Sequence, residues 1–186
     1  MGILMKRQLL ARSFYEKPTL TVARNLLGKY LVRETAGGLL SGRIVEVEAY
    51  VGPEDRASHA SRGKTKRTEV MFGRAGITYV YLIYGMYHCF NIVTEQEGYP
   101  AAILVRAVEL ENGELVDGPG RLCRQLDISR THNRHDLTLG EQLWVEGRGE
   151  KVSARRILCA PRIGVDYAGP WAKKPWRFRV ILNRNK

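Results

Sequence analysis

Between residues 38 and 110 the chain carries several apolar or alternating runs, GLLSGRIVEVEAY, ITYVYLIYGMYHCFNIVTE and AAILVRAVEL, with no helical crossover between them. Parallel strands need such a crossover, so these runs are directed into an antiparallel sheet. In the first run, strict alternation puts Ile44, Glu46, Glu48 and Tyr50 on one face and Val45, Val47 and Ala49 on the other. The second run breaks at Tyr84-Gly85, which predicts a hairpin or a sharply bulged corner. Helices are expected on either side of this core. TLTVARNLLGKYLV has a helical apolar face, Ala23, Leu26, Leu27 and Tyr30, with Thr19 or Thr21 as cap, and GPGRLCRQLDI starts a helix near Pro119. WVEG, RRILCAPRIGV and WRFRVILN supply further short strands. The expected fold is α+β, a mostly antiparallel curved sheet with flanking helices and a protruding β-hairpin.

No repeat, low-complexity tract or Ser/Gly linker divides the 186 residues, so residues 1–186 are read as a single domain. A chain of that length buries roughly 70% of the surface its unfolded form exposes. It can therefore hold a site without disulfide or metal staples. Cys89, Cys123 and Cys159 form no CxxC pair and no even framework, which points to a reducing compartment. No apolar run reaches membrane-spanning length and the start lacks a signal-peptide core, so an intracellular protein without a membrane partner is expected.

Charge narrows the partner. Lys and Arg number 30 against 19 Asp and Glu, a net charge of +11, and a pI near 9.8 is the electrostatic footprint of nucleic acid binding. The excess is segregated: ten basic residues and one acid lie between Lys151 and Lys186, interleaved with Trp171, Trp176 and Phe178. A second cluster, Arg62, Lys64, Lys66 and Arg67, falls in the loop VGPEDRASHASRGKTKRTEVMFGRAG, whose length marks it as functional. That loop is expected to hold one short helix at most.

Candidate chemistry gathers around Glu48. Taken alone, Glu46 and Glu48 read as a solvated strand face. Beside them stands an unusual density of rings: His59, Tyr79, Tyr81, Tyr84, Tyr87 and His88. Four tyrosines among nine residues form either a base-stacking platform or plain tyrosine-rich structure, and spacing does not separate the two. Gly63-Lys64-Thr65 fails as a phosphate-binding loop because Ser58 stands where glycine is required. His132 and His135 lack metal-ligand spacing, so no metal is expected. Gly118-Pro119-Gly120 is an ordinary helix start that can also aim backbone amides, with Arg121, at a phosphate.

Five segments in order, VEVEAYVGPEDRASH, YVYLIYGMYHCFNI, ILVRAVE, GPGRLCRQL and RIGVDYAG-WA-KPWRF, resemble the alkyladenine (3-methyladenine) DNA glycosylase family from about Ser13 to Phe178. The resemblance implies hydrolysis of the N-glycosidic bond of a damaged purine flipped from double-stranded DNA, by a monomer needing no cofactor. It casts Glu48 as general base, with Arg106 holding the attacking water and the nucleotide backbone. Tyr50, His59 and Tyr81 become the base pocket, and Asn91 the residue that rejects the amino group of normal guanine. Tyr84 becomes the wedge that fills the gap left by the flipped base, with Met86 beside it. Separately from the resemblance, the basic charge of Arg62, Lys64 and Lys66 and the helix start at Gly120 and Arg121 make these the candidates for the DNA backbone. Strand parity puts Tyr81 and Tyr84 on opposite faces, one lining the pocket and one projecting. No lysine stands in a nucleophile's place, which implies a monofunctional enzyme without a Schiff base. Two other readings remain: a noncatalytic nucleic-acid-binding module with a structural Glu48, and a tRNA-binding domain like the small barrels attached to formyltransferases.

Overall fold

The computed structural model describes residues 7–182. It is an α+β fold built on one ten-stranded antiparallel sheet. In chain order the elements are β1 (Gln8–Leu9), α1 (Arg12–Tyr15), α2 (Thr19–Leu26), β2 (Tyr30–Thr35), β3 (Gly38–Val51), β4 (Thr78–Ile83), β5 (Tyr87–Val93), β6 (Ala101–Glu109), β7 (Leu115–Asp117), α3 (Pro119–Gln125), β8 (Leu143–Gly147), β9 (Ile157–Ala160) and β10 (Arg177–Val180). The sheet runs β1-β8-β2-β3-β6-β5-β4, with β7 added to β6, and with β10 joining β3 to β9.

Strand β3 is the axis of the molecule. Its first half pairs with β2, through Tyr30↔Arg43. Once β2 has ended, β10 takes the same side, through Arg177↔Glu48. Strand β6 covers the other side, down to Val51↔Ala101. A strand hydrogen-bonded on both sides and covered on both faces is buried throughout, and from Ile44 to Ala49 every side chain is. The expected solvated face is therefore corrected: Glu46 is 1% exposed and Glu48 0%.

Two register shifts modify the alternation. Ile44 pairs with Val108 and Glu46 with Ala107, leaving Val45 without a partner; Val47 then pairs with Val105, leaving Arg106 without one. Each unpaired residue is a bulge, which bends the strand and re-aims a side chain. Simple parity put Ile44 on the side of Glu46 and Glu48; the bulge at Val45 instead gathers Ile44, Val45, Val47 and Ala49 into the same apolar core. The second bulge turns Arg106 toward the two carboxylates.

Helix α2 buries Val22, Ala23 and Leu26 against this core. Its expected cap is corrected, since Pro18 occupies the cap position and no side chain of its own segment closes the turn. Instead Glu95 reaches across: its Oε1 accepts from the Thr19 backbone N–H at 2.9 Å and from the Thr19 hydroxyl at 2.5 Å. A carboxylate there meets both the free amides and the positive end of the helix dipole. The helix stops at Leu26, and Gly28, at φ +84°, turns the chain. Tyr30 begins β2 rather than extending the helical face. The long loop holds two 3₁₀ turns, His59–Arg62 and Glu69–Phe72, where one short helix was expected.

The tail aromatics also differ from expectation. Phe178 is a core residue, 1% exposed, with Arg24 stacked on its ring. Trp171 and Trp176 pack on each other at 5.8 Å, so none of the three forms a free stacking platform. Arg184 and Lys186 of the basic segment lie outside the described residues.

Candidate active site

Beyond the sheet's central strands opens a cleft of about 850 Å³ whose walls include Glu48, Tyr50, His59, Tyr81, Asn91 and Arg106. Six residues from five segments, β3, the long loop, β4, β5 and β6, thus meet in one place. Tyr84, Gly120 and Arg121 line the same cleft at its rim.

Glu48 lies at the bottom, fully buried. Its Oε1 accepts the Ile163 backbone N–H at 2.8 Å, its Oε2 accepts the Tyr50 hydroxyl at 2.9 Å, and Arg106 Nη1 stands 3.5 Å from Oε1. Burial raises the Glu48 pKa above the ordinary carboxylate value, against the opposing pull of Arg106, the Ile163 amide, Tyr50 and Arg162. The net result is a carboxylate more basic than one in water but supplied with donors. Tyr50 responds oppositely: burial and the adjacent Glu48 push its hydroxyl far above its usual value, so it stays a donor.

Side by side on β4, the rings of Tyr79 and Tyr81 lie 5.1 Å apart, and His59 meets Tyr81 edge-on at 4.8 Å. The His59 Nδ1 is 3.1 Å from the Tyr79 hydroxyl. Desolvation, reinforced by Arg67 and Arg62, lowers its pKa to about 4, so the imidazole is neutral at physiological pH. Asn91 spends its amide N–H groups on the carbonyls of Tyr79 and Cys89, at 3.0 and 3.3 Å. Its carbonyl oxygen is what remains to meet a ligand.

The hairpin tip departs from strand geometry. Tyr84 and Gly85 both have positive φ, +53° and +69°, the sign that a tight type I′ turn requires at its two central positions. Tyr84 is therefore a turn residue, and strand parity with Tyr81 is not what makes it project. The turn holds it 82% exposed, with Met86 beside it at 64%. A bulky non-glycine residue at such a φ is an outlier that surrounding structure must enforce.

Several expected positions fall elsewhere. Arg62, Lys64 and Lys66 are exposed on the long loop and do not line the cleft; from that cluster Arg67 comes nearest, 5.0 Å above the Tyr81 ring. Gly120 has a packing reason to be glycine, since a Cβ there would sit 2.9 Å from the Tyr87 ring.

Sequence reasoning missed the supports. Arg162 and Asp55 form a fully buried, two-pronged ion pair at 2.5 and 2.9 Å. Arg162 also donates to the Ala49 and Trp171 carbonyls and lies between the rings of Tyr50 and Trp176, at 4.8 and 5.1 Å. Asp55 in turn accepts the backbone N–H groups of Val51 and Ala57. This pair fixes the residue next to Ile163, and so the amide that Glu48 accepts. Glu46 is the second omission: Arg106 Nε and Arg177 Nη1 both lie 3.2 Å from its Oε1, and Arg179 Nη1 3.4 Å from its Oε2. The period-two pair Arg177 and Arg179 was the available signal. Two arginines on one side of a strand are stabilised by an acid opposite.

Comparison with known proteins gives one answer. Residues 13–184 match the family described as methylpurine-DNA glycosylase. Among similar proteins, one from Myxococcus xanthus is 54% identical over 92% of this chain and 89% of its own length. One from Methanocella arvoryzae is 50% identical over 91% and 90%, and one from the Wolbachia of Brugia malayi 48% over 95% and 100%. All three carry the name "Putative 3-methyladenine DNA glycosylase". With a family match spanning nearly the whole sequence, the chain belongs to the methylpurine-DNA glycosylase family and is a DNA glycosylase of base excision repair.

Proposed function

We propose that this glycosylase acts on double-stranded DNA as a monofunctional monomer inside the cell. In this reading it flips a damaged purine into the cleft and hydrolyses its glycosidic bond with a water activated by Glu48. One observation carries the reading: a fully buried carboxylate of raised pKa faces an aromatic-walled cleft with a projecting tyrosine at its rim. A general base works best when its pKa approaches the working pH, and burial moves Glu48 in that direction. Arg106 steadies the carboxylate and the water, and Tyr50 holds Oε2 in place.

The flipped base lies between Tyr50, His59 and Tyr81. Electron-rich rings favour a cationic 3-methyladenine or 7-methylguanine by about 0.5–2 kcal/mol, and alkylation itself makes such a base a good leaving group. A neutral His59 adds a hydrogen-bonding edge without repelling that cation. Neutral hypoxanthine and ethenoadenine are weaker candidates, since their departure needs a proton from elsewhere. The Asn91 carbonyl lies where the Watson–Crick or minor-groove edge of the base is read. Tyr84, with Met86 beside it, fills the vacated stack, offsetting the few kcal/mol that flipping costs. Arg62, Lys64, Lys66 and Arg121 contact phosphates.

Single-turnover cleavage of a labelled duplex bearing one 7-methylguanine or hypoxanthine, developed with alkali, tests this. Wild type should yield alkali-labile sites, whereas Glu48→Gln should lose at least about a thousandfold in rate while still binding the lesion duplex. Equal rates for the two proteins would remove Glu48 as the base. Borohydride trapping of a covalent adduct would remove the monofunctional mechanism.

A further inference from the structure

Glu46 is the buried carboxylate that the reaction so far leaves without a task. It is as inaccessible as Glu48, two residues away on β3, and three guanidinium groups converge on it: Arg106 from β6, and Arg177 and Arg179 from β10. We infer that Glu46 is a positioning residue for excision, anchoring Arg106 so that a single guanidinium nitrogen approaches Glu48 without closing on it. The inference rests on the reading of Glu48 as base and concerns how that base is kept reactive.

The geometry of Arg106 supplies the argument. It is the bulged residue of β6, and the bulge turns its side chain toward both carboxylates without fixing which of them it bonds. Its Nε donates to Glu46 at 3.2 Å, whereas Nη1 stays 3.5 Å from Glu48. The guanidinium is thus bonded to one acid and only adjacent to the other. A freely placed arginine prefers the two-pronged, fully bonded arrangement with a carboxylate, as Arg162 shows with Asp55. Such an embrace would stabilise the Glu48 anion and weaken it as a base. Glu46 opposes this by holding Nε.

Other groups also face the two carboxylates. Glu48 faces the Tyr50 hydroxyl, the Ile163 amide, Arg162, and the Cys89 thiol of β5. Glu46 faces Arg177 and Arg179, of which Arg179 is shared with Asp117 of β7 at 3.3 Å. Freeing Arg106 from Glu46 therefore moves the titration of Glu48 in one direction, downward, as the guanidinium closes on it.

The test is the pH dependence of single-turnover release of 7-methylguanine, a base already cationic, so that the acid limb reports the general base rather than leaving-group protonation. Glu46→Gln should lower the plateau rate roughly tenfold or more and move the acid limb down by at least about half a pH unit. The dissociation constant for the lesion duplex should stay within about threefold. An unmoved limb, whatever the plateau rate, would make Glu46 a structural ion-pair partner and overturn the inference. Should circular dichroism show Glu46→Gln to be unfolded, Glu46→Asp decides: it keeps the charge but withdraws the carboxylate by one methylene. A rate lowered about threefold or more together with a displaced acid limb supports positioning, and a wild-type rate or an unmoved limb overturns it. A wild-type protein that releases no base from any lesion duplex would instead sink the reading of Glu48 itself.

Discussion

The reactive character of single residues here is set by what lies within about 4 Å of them rather than by residue type. His59 is the clearest case. Its low pKa of about 4 comes from burial and two arginines, so the imidazole takes up its proton more readily in the unfolded chain, near pH 6.5. Folding stability from this group is fully present above about pH 6.5 and declines as pH falls toward 4. An NMR titration of the His59 ring protons should accordingly show no inflection between pH 5.5 and 7.5 and a midpoint near 4; a midpoint near 6.5 would mean the imidazole is not enclosed as described. The six cleft residues Glu48, Tyr50, His59, Tyr81, Asn91 and Arg106 were legible through the family resemblance. The residues that tune them were not. Asp55 and Arg162 are 107 positions apart, and no local pattern announces that two distant charges will be buried against each other.

At the scale of elements, the alternating pattern of β3 announced a strand, and the Tyr84-Gly85 break announced a hairpin. Both bulges of the β3–β6 pair escaped, because a bulge is a relation between two strands and neither sequence alone contains it. The hairpin turn escaped for another reason: type I′ turns are usually signalled by Asn-Gly or Asp-Gly, and a tyrosine at positive φ follows no propensity. That misfit yields a prediction. Tyr84→Gly replaces an 82% exposed ring and relieves a left-handed conformation that costs about 1 kcal/mol, partly offset by glycine's backbone entropy. The melting temperature should stay within about 3 °C of wild type, while single-turnover excision slows at least about tenfold. A large loss of stability would show that the tip is packed rather than projecting.

For the molecule as a whole, the ten basic residues between Lys151 and Lys186 overstate what is free to meet DNA. Arg162, Arg177 and Arg179 are spent internally on Asp55 and Glu46, so part of the basic segment is a clamp that ties the last third of the chain to β3. Breaking that clamp should be severe. Asp55→Asn strands the Arg162 charge in the interior, and removing one partner of a buried pair costs about 3–5 kcal/mol. Thermal unfolding should shift down by about 10 °C, with excision falling further than the unfolded fraction explains, because the Ile163 amide loses its anchor. A shift under about 3 °C would show the pair to be dispensable. The clamp has a bearing on biosynthesis. Glu46 and Glu48 leave the ribosome early, whereas Arg162, Ile163, Arg177 and Arg179, which complete their surroundings, come more than a hundred residues later. A nascent chain halted before residue 162 can pair much of the central sheet and bring Arg106 and Tyr50 to the two carboxylates, yet it still lacks the Ile163 amide, Arg177 and Arg179 that complete their surroundings.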